Sequence, residues 1–119
     1  VILNLYEAGQ GLASHIDLPH QFDDGILVCS FGSGCTMRFS RESSAGGEQW
    51  QEKGQNEERE QVEHVYLEDR SLVLLSGESR WAWKHGIEAR DEDLVEGEAG
   101  EVERIRRGKR LSITVRWLL

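Results

Sequence analysis

The sequence has few of the features that mark secreted or membrane proteins. It contains only two cysteines, Cys29 and Cys35, whereas a small secreted scaffold is typically held together by larger even sets. We interpret both as reduced thiols in the core. No apolar run approaches the roughly 20 residues that span a bilayer, and the chain does not open with the charged and apolar regions of a signal peptide. We therefore expect an intracellular protein, in the cytoplasm or nucleus, without a membrane partner.

An excess of basic residues is also missing. Lys and Arg number 14 against 22 Asp and Glu, which gives a formal net charge of −8, whereas surfaces that bind nucleic acid are usually basic. The acidic residues are concentrated in two stretches, at positions 42–60 and 88–103, which we interpret as loops. The net charge therefore says little about the surface that meets a substrate.

Long helical periodicity is absent too, and short β-type runs separated by Gly and polar clusters dominate the chain. A chain of 119 residues supports one hydrophobic core. We therefore predict one all-β domain at residues 1–119, folded as a jelly roll or double-stranded β-helix barrel. Because the chain opens on Val1 inside an apolar run, we expect it to be a piece of a longer protein. The predicted strands cover residues 1–6, 12–17, 26–31, 35–40, 61–67, 71–75, 85–88 and 110–118.

The segments between the strands divide into turns and longer loops. Residues 32–34, Gly-Ser-Gly, are the kind of short loop that closes a hairpin, and residues 68–70 predict a second one. Residues 41–60 contain a single large apolar residue, Trp50, which is too little buried surface to offset chain entropy, so we predict a flexible insertion. For residues 89–109 we expect the apolar side chains to touch the core and part of the segment to form a short helix.

The tripeptide His15-Ile16-Asp17 is the most informative short motif. Residues two apart on a strand point to the same face, so one imidazole and one carboxylate can reach one ion together. A third ligand from a distant strand would complete the two-histidine, one-carboxylate face that leaves positions open on non-haem iron. His85 is the natural candidate. The alternative for an isolated His-x-Asp is a surface turn or a hydrogen-bonded pair.

The last predicted strand places two arginines on one face. Residues 110–116 alternate strictly between polar and apolar side chains, and the register of the strand fixes which face each set occupies. Guanidinium groups bind carboxylates through two parallel hydrogen bonds, so Arg110 and Arg116 could clamp a small dicarboxylate inside the barrel. The alternative is an exposed edge strand with two surface arginines. The opposite face, which we expect to pack into a core, consists of Leu111, Ile113, Val115 and Trp117.

Taken in order, these motifs resemble the AlkB family of oxidative demethylases and hydroxylases. The resemblance covers nearly the whole chain and rests on five motifs in the family's order. They are Asn-x-Tyr at Asn4 and Tyr6, His-x-Asp at His15 and Asp17, the run from Ser71 to Glu78, His85-Gly86-Ile87, and Arg-x-Ser-x-Thr-x-Arg from Arg110 to Arg116.

The resemblance implies an Fe(II)- and 2-oxoglutarate-dependent dioxygenase that uses O2 and releases succinate and CO2. By this resemblance, His15, Asp17 and His85 bind Fe(II). Arg110 pairs with the distal carboxylate of 2-oxoglutarate, and Arg116 pairs with the carboxylate beside the keto group. Further hydrogen bonds to the co-substrate are implied for Asn4, Tyr6 and Ser112.

The resemblance also bears on the substrate. Many DNA-repair members have a further acidic residue two positions after the metal aspartate, where this chain has Pro19. Residues 15–26 and 77–80 look more like the branch that hydroxylates a modified wobble uridine of transfer RNA, so RNA is favoured over DNA. The family's nucleotide-recognition lid lies before the Asn-x-Tyr strand, where this chain begins. Two alternatives are the same mechanism acting on a protein side chain and a catalytically silent barrel that binds metal.

A few other residues invite a functional interpretation. His20 is near the metal motif but out of strand phase with it, so we expect a surface residue. Trp81 and Trp83 could stack a base, although tryptophans of this kind more often cover the core, as we expect here. The basic residues at positions 104, 106, 107 and 109 either meet phosphate or neutralise their acidic neighbours.

Overall fold

The computed structural model describes residues 1–43 and 59–119. Within these residues the chain forms ten strands and one short helix. The strands are β1 (Ile2–Tyr6), β2 (Leu12–His15), β3 (Ile26–Phe31), β4 (Cys35–Ser43), β5 (Arg59–Leu67), β6 (Ser71–Leu75), β7 (Lys84–Ile87), β8 (Glu92–Glu96), β9 (Val102–Arg106) and β10 (Arg110–Val115), and the helix is α1 (Glu78–Trp81).

Two four-stranded antiparallel sheets form the body of the domain. The strand order is β1-β10-β3-β6 in the first sheet and β2-β7-β4-β5 in the second. Strands of both sheets contribute to one buried apolar cluster, so the core lies between the sheets. Its members are Ile26, Val28, Met37, Phe39, Leu67 and Leu75. The predicted all-β jelly-roll fold is confirmed, and each of the eight predicted strands is present with small shifts at its ends.

The strand β10 faces the interior with its polar side chains. In β3 the inner residues are mainly apolar, but in β10 the buried ones are Arg110 and Ser112. Leu111, Ile113 and Val115 lie on the outer face and are half-buried, and the residue at position 117 is exposed. The expectation that this apolar set packs into the core is therefore wrong. The physical reason is that β10 crosses the part of the interior that holds a cavity rather than the apolar cluster.

The short turns at residues 32–34 and 68–70 connect the two sheets. Because β3 and β6 belong to the first sheet and β4 and β5 to the second, the predicted hairpins at these turns are wrong. The turns contact each other, since the Gly32 amide donates to Asp69 Oδ1 at 2.7 Å. Gly32 has a φ of 93°, and a Cβ there would lie 2.7 Å from the Lys109 carbonyl oxygen. Glycine is therefore required for both backbone conformation and space.

Residues 89–109 contain a β-hairpin and not the predicted short helix. The strands β8 and β9 pair in antiparallel register, and the Gly97 amide donates to the Glu101 carbonyl at 2.7 Å across the turn. Leu94 and Val102 are 59% and 64% exposed, so these two do not reach the core as expected. Only the apolar residues at positions 95 and 105 are half-buried.

A buried ion pair attaches this hairpin to the rest of the domain. Arg107 Nε and Nη2 each donate to the Asp93 carboxylate at 2.8 Å, and Arg107 Nη1 donates to the Glu88 carbonyl at 2.7 Å. Burial by itself raises the pKa of Asp93, but hydrogen bonds from Arg107 and from Thr36 of β4 bring it below its usual value. The carboxylate therefore stays ionised and holds the hairpin against β4.

The predicted flexible insertion is described only at its two ends. Residues 41–43 belong to β4 and residues 59–60 to β5, and these ends pair in antiparallel register. Residues 44–58, which include Trp50, lie outside the described residues. The insertion therefore stays a prediction.

Two expectations from composition concern thiols and membranes. Cys35 is buried and Cys29 half-buried, and both are free. Burial raises the pKa of the Cys35 thiol, as expected for an unreactive core cysteine. In the described part of the chain, no helix is long and apolar enough to cross a membrane.

We predict that Asp93→Ala lowers the free energy of unfolding by about 3–5 kcal/mol, because it leaves the Arg107 guanidinium buried without its partner. Urea unfolding measures this change. The matched control is Glu92→Ala, which removes the exposed partner of Arg104 and should cost less than about 1 kcal/mol. Equal losses for the two variants would show that the buried pair does not anchor the hairpin.

Candidate active site

Two histidines and an aspartate meet where β2 ends. His15 ends β2 and His85 lies in β7, and the two are direct cross-strand partners with ring centroids 4.5 Å apart. Asp17 Oδ1 lies 3.1 Å from His15 Nε2 and 3.6 Å from His85 Nε2. Atoms that bind one ion at about 2.1 Å and at right angles lie about 3 Å apart. One ligand atom from each of the three side chains lies within 4.8 Å of the other two, so these side chains form one group of candidate metal ligands.

The local structure of β2 and β7 produces this approach. A Cβ at Gly86 would lie 2.6 Å from Ser14 Oγ and 2.8 Å from the Leu12 carbonyl oxygen, so glycine beside His85 lets the two strands lie this close. His15 Nδ1 lies 2.9 Å from the Ala13 carbonyl oxygen and can donate to it. When Nδ1 carries the proton, Nε2 has the lone pair that a metal ion needs.

Burial and charge differ among the three side chains. Asp17 is 4% and His85 9% exposed, while His15 is 41% exposed, so the cluster opens to solvent on the His15 side. The pKa of His85 is lowered to about 4, first by burial and then by the charge of His15, with Asp17 acting in the opposite direction. His85 is therefore neutral at neutral pH, as a metal-binding imidazole must be.

The cluster opens into a cavity of about 110 Å³ between the two sheets. Polar residues from three neighbouring strands of the first sheet face one another here: Asn4 of β1 is paired with Ser112 of β10, which is paired with Ser30 of β3. All eight residues that the sequence singled out as a site line this one cavity. They are Asn4, Tyr6, His15, Asp17, His85, Arg110, Ser112 and Arg116.

Arg110 is a buried cation that lacks a counter-ion. It is 4% exposed, its Nη2 donates to Ser30 Oγ at 2.9 Å, and its guanidinium lies 5.4 Å from the centre of the Tyr6 ring. Within the described residues its Nε has no hydrogen-bond partner, and it forms no salt bridge of the kind that Arg116 and Lys109 form. A buried charge of this kind fits an anionic ligand, since a carboxylate would satisfy the charge and the free donor.

Arg116 lies at the other end of the same strand face, next to the histidine and aspartate cluster. Its Nη1 donates to Asp17 Oδ2 at 3.0 Å, and its guanidinium lies 4.0 Å from the centre of the Phe22 ring. Asp17 thus presents Oδ1 to the two histidines and Oδ2 to the arginine. Arg110 in β10 and Arg116 just after this strand are placed differently: Arg116 lies beside the candidate metal ligands and Arg110 lies deep in the cavity.

Sequence reasoning missed two residues that support the site. Ser30 holds Arg110, and Arg80 donates to the backbone of the Asp17 loop. The position of Ser30 on the inner face of an otherwise apolar strand was a usable signal, but its partner on a distant strand was not readable. The cavity is also lined by apolar residues, namely Ile2, Leu12, Ile26, Val28, Met37 and Ile87.

The other residues considered above lie outside the cavity. His20 is exposed, as expected. Trp83 packs against the core cluster, but Trp81 is 40% exposed, so the expectation of a core-covering role holds for Trp83 alone. The basic residues at positions 104–109 do not form one surface, because Arg107 is buried against Asp93.

Comparison with known proteins identifies the family. The model of the 2OG-Fe(II) oxygenase superfamily matches residues 1–116. The chain is 33% identical to the tRNA (carboxymethyluridine(34)-5-O)-methyltransferase alkbh8 of Xenopus tropicalis, covering 96% of this chain and 17% of that protein. It is 35% identical to the alkylated DNA repair protein ALKBH8 homolog of Arabidopsis thaliana, covering 96% and 32%. It is also 31% identical to an uncharacterised protein of Acanthamoeba polyphaga mimivirus, covering 98% and 46%.

The chain spans less than half of the length of each of these relatives. The family model nevertheless covers almost all of it, and the two-sheet fold with a histidine and aspartate cluster between the sheets agrees with that match. The chain belongs to the 2OG-Fe(II) oxygenase superfamily and has an AlkB-like core.

Proposed function

We propose that this chain is the catalytic core of an Fe(II)- and 2-oxoglutarate-dependent dioxygenase that modifies RNA. The observation that carries the proposal is that the candidate metal ligands and a counter-ion-free arginine line one cavity. His15, Asp17 and His85 would hold Fe(II), since two imidazoles and a carboxylate are the ligand set of non-haem iron oxygenases. Family membership implies the same metal and co-substrate.

In this proposal Arg110 of β10 and Arg116, which follows this strand, each bind one carboxylate of 2-oxoglutarate. Arg110 binds the distal carboxylate in the buried end of the cavity, with Ser30 holding its guanidinium. Arg116 binds the carboxylate beside the keto group and also holds Asp17 Oδ2, which leaves Oδ1 for the metal. When bound, iron and 2-oxoglutarate would activate O2 for the oxidation of the substrate, and 2-oxoglutarate would be converted to succinate and CO2. Asn4, Tyr6 and Ser112 add hydrogen-bonding groups along the co-substrate.

The proposed substrate is a nucleic acid, with RNA and in particular tRNA favoured over DNA. Relatives that are 31–33% identical to this chain over the aligned residues bear names that refer to tRNA, and Pro19 stands where many DNA-repair members have an acidic residue. The reaction is oxidative demethylation or hydroxylation. Methyl transfer, which those names also mention, is not proposed here because the oxygenase model accounts for residues 1–116.

The test is succinate formation by the chain with Fe(II), 2-oxoglutarate and candidate substrates. Transfer RNA, single-stranded DNA and peptides are compared at equal concentration, and the substrate that raises succinate above the background rate identifies the class. We expect tRNA to do so. Stimulation by peptides alone would favour a protein side chain as the substrate, and metal binding without succinate formation would indicate a catalytically silent barrel that binds metal.

Replacing any of the three candidate metal ligands by alanine should strongly weaken metal binding. We predict that His15→Ala, Asp17→Ala and His85→Ala each weaken Mn(II) affinity by more than about 100-fold, since even the loss of an outer partner of a ligand costs about 10- to 100-fold. Calorimetric titration measures the affinity, and succinate formation should fall with it. His20→Ala is the control, because His20 is exposed and outside the cavity. Unchanged Mn(II) affinity in His85→Ala would refute the assignment.

Arg110 should decide the affinity for 2-oxoglutarate without affecting the metal. Arg110→Met leaves the distal carboxylate buried and unpaired at a cost of roughly 3–5 kcal/mol, so we predict a rise in the 2-oxoglutarate requirement of about 150- to 5,000-fold with little change in Mn(II) affinity. Arg110→Lys keeps the charge but loses the two-pronged contact and should fall between wild type and Met.

Two controls accompany this prediction. A keto acid without the distal carboxylate should bind almost equally to wild type and Arg110→Met, and Arg106→Met changes an arginine that is exposed on β9 and should have no effect. If Arg110→Met kept the wild-type requirement for 2-oxoglutarate, the arginine would have only a structural role.

A further inference from the structure

Arg80 is the most deeply buried cation of the described residues, and it contacts no acidic side chain there. It is 2% exposed and lies in the short helix α1, five residues before His85. Its guanidinium packs over the Trp81 ring, 4.1 Å from the ring centre. Burying a charge without hydrogen-bond partners is costly, so the acceptors that contact this guanidinium are held firmly in position.

The groups that satisfy Arg80 are carbonyl oxygens of the loop that follows the His-x-Asp motif. Nη1 donates to the carbonyl of Asp17 at 3.0 Å. Nη2 donates to Phe22 at 2.9 Å and reaches Leu18 at 3.5 Å, and Nε donates to Asp23 at 3.2 Å. One guanidinium therefore fixes both the beginning of the loop and its later part.

This loop needs such a contact because no regular ladder holds its first residues. The strand β2 ends at His15 and β3 begins at Ile26, so Asp17 lies outside both sheets although its carboxylate is buried between the histidines. Pairing with a neighbouring strand fixes the direction of side chains within a sheet. Asp17 lies outside the sheets, so other hydrogen bonds must fix its position. Its carbonyl accepts a hydrogen bond from Arg80, and its carboxylate accepts one from Arg116.

We propose that Arg80 is a positioning residue for the metal centre. Through the Asp17 carbonyl and the loop behind it, Arg80 holds the Asp17 carboxylate toward His15 and His85. The inference deepens the proposed function and rests on it, because it assumes that these three side chains bind a divalent metal. Arg80 also connects two of the proposed metal ligands. It lies in the segment that leads into β7, which carries His85, and it donates hydrogen bonds to the loop that carries Asp17.

The same loop also contacts Arg116, the residue that follows β10. Phe22, whose carbonyl accepts from Arg80, places its ring under the Arg116 guanidinium at 4.0 Å, and the Asp23 amide donates to the Trp117 carbonyl at 2.8 Å. Arg80 thus acts on both partners of the contact between Asp17 and Arg116.

The test uses Mn(II) and Co(II) binding by the chain. We expect Arg80→Lys to weaken Mn(II) affinity by about 10- to 100-fold, the range for lost outer partners of metal ligands, and to shift the visible absorption bands of bound Co(II). Affinity for 2-oxoglutarate at saturating Mn(II) should change less than the metal affinity does. A purely structural role would lower the denaturant midpoint without altering the Co(II) spectrum or the Mn(II) affinity of the folded protein.

The matched control is Asp24→Ala. The Asp24 carboxylate accepts from the Gly77 amide at 3.1 Å, so this variant removes another link between the same loop and the start of α1 without touching the Asp17 carbonyl. It should bind Mn(II) within about twofold of wild type. If it weakened binding as much as Arg80→Lys does, general tethering of the loop would explain the effect and the specific role of Arg80 would be wrong.

A milder variant decides the matter if Arg80→Lys does not fold. Trp81→Leu removes the ring beneath the guanidinium but keeps every hydrogen bond, and Trp81 is 40% exposed. A cation–π contact of this kind corresponds to about a two- to fivefold effect, so Mn(II) affinity should fall by that factor. Unchanged affinity in Trp81→Leu, or in a folded Arg80→Lys, would overturn the proposal. Failure of wild type to bind Mn(II) would instead refute the proposed function.

Discussion

The structure depends on the burial of one carboxylate, that of Asp17, between two imidazoles and an arginine. Its Oδ1 lies within 3.1–3.6 Å of both histidines, and its Oδ2 accepts from Arg116 at 3.0 Å. A buried carboxylate is stable only when hydrogen bonds or cations replace its water. The positions of β2, β7 and β10 are therefore linked through a single side chain, which lies just outside any strand.

The interior between the sheets contains two adjoining regions, which share Ile26, Val28 and Met37. One region is the apolar cluster of β3, β4, β5 and β6, which stabilises the fold by burial. The other is the cavity, which Arg110 of β10 and Arg116 just after it line, while Leu111, Ile113 and Val115 are half-buried on the outer face of this strand. A strand with buried Arg110 lacking a carboxylate partner is unfavourable for stability alone. This cost is consistent with a site that is completed by an anionic co-substrate.

The part of the site that the sequence predicted lies mainly on strands, where side chains alternate between the two faces. His15 and His85, and the alternating residues from Arg110 to Arg116, lie on strands whose side chains alternate, so the face of each could be inferred and all of them line one cavity. Arg80 and Ser30 were missed because their roles depend on contacts with residues 50 to 80 positions away. Local sequence patterns carry no information about such contacts.

The errors in the fold have the same origin. The Gly-Ser-Gly turn was recognised, but whether it closes a hairpin or crosses between sheets depends on the partners of β3 and β4, which are distant in sequence. The hairpin of β8 and β9 was mistaken for a partly helical loop because its large apolar residues are few, and two of them, Leu94 and Val102, are exposed. Its attachment comes from the single ion pair of Arg107 and Asp93, which composition does not reveal.

The most direct measurement of the central claim is a crystal structure of the chain with Mn(II) and 2-oxoglutarate, using anomalous scattering to locate the metal. We expect one strong anomalous peak at about 2.1–2.2 Å from His15 Nε2, Asp17 Oδ1 and His85 Nε2, and we expect the distal carboxylate of 2-oxoglutarate to contact Arg110. A metal bound elsewhere, or 2-oxoglutarate placed away from Arg110, would contradict this claim.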